Sequence, residues 1–210
     1  MSVQGLINSD EDVARGAAWL AQSCPRMALA IGQTSPLPLR RRPDGFAQLL
    51  SAIVSQQVSV ASATAINRRM EDASATQAES IRNMSDEALR ALGLSRQKAR
   101  YAKALAEADI DYVALRTATD QDVIDTLCEV PGIGRWTAEI YAMFSLGRPD
   151  VFAPGDLALQ EAARVLYQMD ARPKERELRA MSEAWSPWRS VAARVLFAYY
   201  RVVKQREGIS

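Results

Sequence analysis

Leu127-Cys128-Glu129-Val130-Pro131-Gly132-Ile133-Gly134-Arg135-Trp136-Thr137-Ala138 decides the architecture of this 210-residue chain. Val123, Leu127 and Cys128 mark a short helix that Thr119 or Asp120 would cap, and Trp136, Ile140, Met143 and Phe144 stripe a second. Pro131-Gly132-Ile133-Gly134 forms the turn between them. Its glycines permit backbone conformations that a side chain forbids. They also let the chain approach a phosphate, at which the N–H groups opening the second helix point. A plain helical turn uses Pro-Gly as well, so the turn alone leaves both readings open. A dinucleotide-binding loop is excluded, because Gly-x-Gly here lacks a third glycine and follows a helix rather than a strand.

Outward from the turn the pattern stays helical. Phe46, Leu49, Leu50, Ile53 and Val54 recur at helical spacing, as do Val13, Ala17, Leu20 and Cys24. Ser85 and Ser95 read as N-caps, Gly93 as a helix stop, and Gly147 with Pro149 closes the helix after the turn. Ser186 reads as the N-cap of the last long helix with Pro187 at its first position. The expectation is an all-α fold of about nine or ten helices.

Gly32 to Pro43 holds three of the nine prolines and the run Arg40-Arg41-Arg42, and reads as a stiff basic linker. A second break falls at Ser145 to Gly155. The expected organisation is residues 1–43 as an amino-terminal helix and linker, 44–146 as a helical subdomain ending in the hairpin, and 147–210 as carboxy-terminal helices. The first and last segments would pack together, with a cleft between the two subdomains.

Composition removes several chemistries. The chain has no histidine, so His-based acid/base catalysis, Ser-His-Asp hydrolysis and His-ligated metals are excluded together. Cys24 and Cys128 cannot supply the four thiolates of an iron-sulfur cluster. No apolar run approaches the roughly 20 residues that span a bilayer, and the amino terminus lacks a signal-peptide layout, so an intracellular location is expected. Net charge is +1 but uneven: seven acids and one arginine lie between Glu107 and Glu129, against ten basic and six acidic residues from Glu161 onward. Such asymmetry permits one polyanion-facing side on a near-neutral protein, and equally describes two ordinary solvated faces.

Twenty residues beyond Trp136, Asp156 precedes the helical run Leu157 to Tyr167. An aspartate there is an N-cap. The macrodipole favours negative charge at that end, and a carboxylate held so can stabilise an oxocarbenium-like charge at a sugar C1′. Phe197 lies off the apolar stripe of the last helix, in line with Ser190, Arg194 and Arg201, and an aromatic on a polar face is a pocket candidate. Trp185 and Trp188 read as packing.

The whole Leu-Cys-Glu-Val-Pro-Gly-Ile-Gly-Arg-Trp-Thr-Ala string, with Asp156 and Trp185-Ser186-Pro187-Trp188-Arg189-Ser190, resembles the helix-hairpin-helix DNA glycosylases, in the alkylation-repair branch of 3-methyladenine DNA glycosylase II type. The resemblance runs from about Phe46 to Tyr199. It implies that Asp156 is the catalytic carboxylate, and that Trp136, Ile140 and Phe197 line the base pocket. Gly132, Ile133, Gly134, Arg135 and Thr137 would grip DNA, as would Gln56 and Gln57 of Ser55-Gln56-Gln57-Val58-Ser59. From that segment the family inserts a side chain where the flipped base was, and Gln57 falls where some relatives carry leucine. The backbone carbonyls of Cys128, Val130 and Ile133 would hold a monovalent cation. Bifunctional members carry lysine at the position of Trp136, so the resemblance implies a monofunctional hydrolase that leaves an abasic site in an unbroken strand.

An alkylated purine carries positive charge and is already a good leaving group, which suits an indole face and a chain without a histidine acid. The expected partner is duplex DNA bearing damaged bases, engaged by a monomer, at the nucleoid or in a nucleus, with no required cofactor. Some longer relatives carry an amino-terminal β-rich domain for which a chain of this length has no room. A uracil or hypoxanthine glycosylase, a non-catalytic hairpin that recognises distorted DNA, and a protein-binding helical scaffold are the alternatives.

Overall fold

Serine, threonine and aspartate hydroxyls and carboxylates set most helix starts in the computed structural model, which describes residues 5–206. The chain divides into two compact units: Met1–Arg41 with Ala142–Ser210, and Arg42–Tyr141. Among the described residues there are thirteen α-helices, one 3-10 turn and no strand. The all-α class is as expected. The helix number is higher because Pro25 starts a new helix straight after Cys24, and because several helices are only four to six residues long.

The continuous unit runs through α3 (Phe46–Ser55), α4 (Val60–Asp72), α5 (Ala78–Asn83), α6 (Asp86–Ala91), α7 (Arg96–Glu107), α8 (Tyr112–Leu115), α9 (Asp120–Cys128) and most of α10 (Arg135–Phe144). Ser59, Ser85, Ser95 and Thr119 accept the N–H three residues on at the starts of α4, α6, α7 and α9, each cap worth about 1 kcal/mol. Helix α7 is the spine, packed against α3, α5 and α6. Leu49, Ile53, Ile81, Leu89, Ala102 and Leu105 are buried, each large aliphatic among them contributing roughly 1.5–3 kcal/mol. Gly93 ends α6 at φ +107, a left-handed conformation that favours glycine.

The other unit holds α1 (Asp10–Ser23), α2 (Pro25–Thr34), the end of α10, α11 (Leu157–Leu166), α12 (Glu175–Ser182), the 3-10 turn Glu183–Trp185, and α13 (Arg189–Arg206). Its centre is α13, which packs on α11, α2 and α1. A Cβ on Gly16 of α1 would lie 2.6 Å from both the Trp188 and the Val191 side chains, so the α1 backbone packs directly on them.

Two expectations need correction. Ser186 does not cap α13: its hydroxyl donates to Asp150, Pro187 follows a cis bond, and the helix begins two residues later at Arg189. Asp150 attracts this segment, since it also receives the Arg189 guanidinium at 2.9 Å. Nor is the Ser190 and Arg194 face of α13 polar surface, for both residues are 0 % exposed. Arg194 donates to the Leu39 and Ser190 carbonyls at 3.0 and 2.9 Å and lies 4.8 Å from the Phe144 ring centroid. Burial and the neighbouring Arg40 and Arg41 lower its pKa to about 10. Arg41 donates to the Phe144 and Ser145 carbonyls. The end of the basic segment is thereby fastened to its unit rather than left as an open spacer.

Candidate nucleic-acid interface and catalytic carboxylate

Thr119 starts α9, and the helix unwinds after Cys128 because Pro131 cannot continue it. The turn closes with the Val130 carbonyl accepting the Ile133 N–H at 3.0 Å, and Val130 and Ile133 are buried beneath it. Gly132 has φ +95, and a Cβ there would lie 2.4 Å from the Tyr101 ring. Gly134 is different: it is exposed, with nothing within 4 Å of the place a Cβ would take. The first of these glycines is required by the protein underneath, the second by nothing in the protein itself.

The first bond into α10 runs from the Ala138 N–H to the Gly134 carbonyl at 3.1 Å. The N–H groups of Arg135, Trp136 and Thr137 precede it and form the first turn, where the dipole favours an anion. Thr137 is 6 % exposed, buried beside the exposed Arg135 and Trp136. Arg135 is exposed and reaches back to the buried Glu139 at 3.1 Å. Trp136 is 45 % exposed, unlike the tryptophans at 185 and 188, which are 1 % and 6 % exposed. Ile140, one turn further on, is half-buried.

Of the three carbonyls expected to hold a cation, that of Val130 already accepts the Ile133 N–H. Among the described residues no backbone N–H bonds to the carbonyls of Cys128 or Ile133. Hard oxygen donors of this kind suit a monovalent cation or a small divalent one. A carbonyl has two lone pairs, so the Val130 oxygen fits the same role.

Gln56 and Gln57 follow α3. Gln57 is exposed and holds φ +53, uncommon for a residue with a side chain. Gln56 is half-buried, and its amide donates to the Gly132 carbonyl at 2.9 Å. Lys98 donates to the Val54 carbonyl at 2.6 Å, closing the end of α3, and desolvation lowers its pKa. These two bonds are long-range in sequence, and no local pattern announces them.

In the other unit, Asp156 is the N-cap of α11: its Oδ1 accepts the N–H groups of Ala158 and Leu159 at 2.8 and 3.2 Å. The loop before it is buried from Val151 to Pro154. It is held by Gln160, which donates to the Pro154 carbonyl at 2.8 Å, and by Ser190, which donates to the Val151 carbonyl at 2.7 Å. Phe152 packs edge-on to Trp185 with centroids 5.2 Å apart. A half-buried carboxylate on so fixed a loop is preorganised. Phe197 contacts Phe144 at 6.3 Å, with the Arg40 guanidinium 5.4 Å from its ring centroid.

Residues 50–188 match the family model described as HhH-GPD superfamily base excision DNA repair protein. The chain is 30 % identical to DNA-3-methyladenine glycosylase 1 of Schizosaccharomyces pombe over 83 % of its own length and 80 % of the relative's. Among solved structures it is similar to the S. pombe 3-methyladenine DNA glycosylase in complex with abasic DNA, with TM-score 0.76 and 28 % identity over 87 % of this chain and 95 % of that one. It is also similar to a DNA-3-methyladenine glycosidase from Bacillus halodurans, with TM-score 0.73 and 33 % identity over 86 % and 91 %.

Proposed function

Because the chain belongs to the HhH-GPD superfamily of base excision DNA repair proteins, we propose that it is a monofunctional DNA N-glycosylase that releases alkylated purines such as 3-methyladenine and 7-methylguanine. The relatives named above for that substrate support the class of lesion. The observation that carries the reading is the exposed Trp136 on the first turn of α10, directly after Gly134, where open space lets a phosphate approach the start of the helix.

In this mechanism the hairpin from Gly132 to Thr137 holds the DNA backbone without reading sequence. A monovalent cation on the Cys128, Val130 and Ile133 carbonyls would add positive charge against the same phosphate. Gln57 takes the space vacated by the extruded nucleotide. The cationic base stacks on Trp136, with Ile140 and Phe197 as further pocket walls. Asp156 stabilises the positive charge that grows on the sugar as the C1′–N bond breaks, and water completes the hydrolysis. No lysine stands at position 136 to form a Schiff base, so the strand stays intact.

The test is base release from methylated duplex DNA by wild type and Asp156→Asn, with nicking scored before and after alkali. The reading requires free 3-methyladenine or 7-methylguanine, breaks only after alkali, and loss of both in a variant that still binds DNA. Binding without release by either protein would make the hairpin a recognition module. Release of uracil or hypoxanthine alone would change the lesion.

A further inference from the structure

Gln57 and the hairpin belong to different helix connections, yet three contacts join their surroundings. Lys98 of α7 donates to the Val54 carbonyl at the end of α3, one turn before Gln57. Tyr101, one turn further along α7, lies directly under Gly132, and its hydroxyl accepts a bond from Gln97 at 2.6 Å. Helix α7 therefore supports both elements from below. The third contact is direct: the Gln56 amide donates to the Gly132 carbonyl at 2.9 Å.

Among the described residues, the backbone around Gln57 is otherwise anchored only at its flanks. The Gln56 N–H bonds to the Ile53 carbonyl at 3.3 Å, and Ser59 caps α4 by accepting the Ser62 N–H at 3.2 Å. Between these anchors Gln57 holds a left-handed conformation that carries a cost of order 1 kcal/mol and persists only where neighbours impose it. Gln56 immediately precedes it and is tied to the turn that would meet the phosphate.

We infer that Gln56 is a positioning residue rather than a DNA contact: its bond to the Gly132 carbonyl couples the hairpin to Gln57, so that capture of a phosphate fixes where the Gln57 side chain enters the duplex. This inference rests on the glycosylase reading for its effect on base release, while the coupling itself concerns DNA binding alone. Single-stranded substrate needs no insertion into a stack, whereas duplex substrate does. Loss of the bond should therefore separate the two.

The experiment compares wild type, Gln56→Ala and Gln56→Glu, the last keeping length but replacing the amide donor with a carboxylate. Single-turnover base release is measured on methylated duplex and methylated single strand, affinity is measured on undamaged duplex, and amide hydrogen exchange is followed with and without that duplex. Both variants should lose roughly 5- to 10-fold on duplex release, the scale of one hydrogen bond. Single-strand release and undamaged-duplex affinity should change less than about twofold. Undamaged duplex should protect residues 130–137 and 55–59 together in wild type, and 130–137 alone in the variants. An equal loss of undamaged-duplex affinity would make Gln56 a DNA contact and overturn the inference. So would full duplex activity in Gln56→Glu, or unchanged joint protection in both variants. Absence of base release from wild type on either substrate would count against the glycosylase reading only, and the exchange pattern would still decide the coupling.

Discussion

Asp156 holds the amino terminus of α11 by accepting the Ala158 N–H across 2.8 Å. In the proposed mechanism capping and catalysis draw on this one carboxylate, and substitution separates them. Asn keeps an acceptor oxygen at the cap but no charge, so Asp156→Asn should leave Tm within a few degrees while abolishing base release. Asp156→Ala should lose activity and also about 1 kcal/mol of stability, measured by urea unfolding.

The two hairpin glycines should fail differently. Gly132→Ala must leave a φ of +95 and push against Tyr101, so a cost of about 1–3 kcal/mol and a lowered Tm are expected. Gly134→Ala meets nothing within 4 Å, so its Tm should stay put while affinity for undamaged duplex falls. A normal affinity in Gly134→Ala would show that DNA does not approach at this glycine.

Gly16→Ala is a third case. Helix propensity alone favours alanine by about 1 kcal/mol. The contact of Gly16 with Trp188 and Val191 opposes it, and overpacking of this kind costs about 1–3 kcal/mol. Chemical denaturation should therefore find the variant less stable than wild type.

Trp136 is 45 % exposed, so Trp136→Ala should barely move Tm. Release of 7-methylguanine should fall about 10-fold or more, with Trp136→Phe intermediate, because cation–π attraction weakens from indole to phenyl. Equal activity in all three proteins would remove Trp136 from the base pocket.

Glu161 on α11 accepts Arg164 at 2.7 Å and Arg172 at 3.0 Å, and these bonds hold its pKa below the usual 4.5. A carboxylate lowered by folding adds stability that is complete above about pH 4.5 and is lost as pH falls through its folded value. Both arginines are partly exposed, which limits the effect to about 1 kcal/mol. Wild type should exceed Glu161→Gln by that amount at pH 7, and the two should converge in thermal melts as the pH falls through the lowered folded pKa.

The hairpin, the caps at Ser85, Ser95 and Thr119, and the Asp156 cap were legible because each is a local pattern in which side chain and bonded N–H lie within three residues. What escaped the sequence is non-local. Gln56 meets Gly132 from 76 positions away, and Arg194 meets Leu39 from 155. Arg194 also misled in a specific way: an arginine on a helix face reads as solvent-facing, yet here it is enclosed and stacked on Phe144. Ser186-Pro187 has the form of a helix start, but the pull of Asp150 displaced that start by two residues.

The division of the chain imposes an order on its synthesis. Residues 42–141 are contiguous, so that unit has all its partners as soon as α10 leaves the ribosome. Helices α1 and α2 emerge before the other described helices, yet they pack on α13, the last described helix to be made. Until then Gly16 of α1 lacks its contact with Val191 of α13. Among the described helices, α1 and α2 therefore wait longest between synthesis and packing.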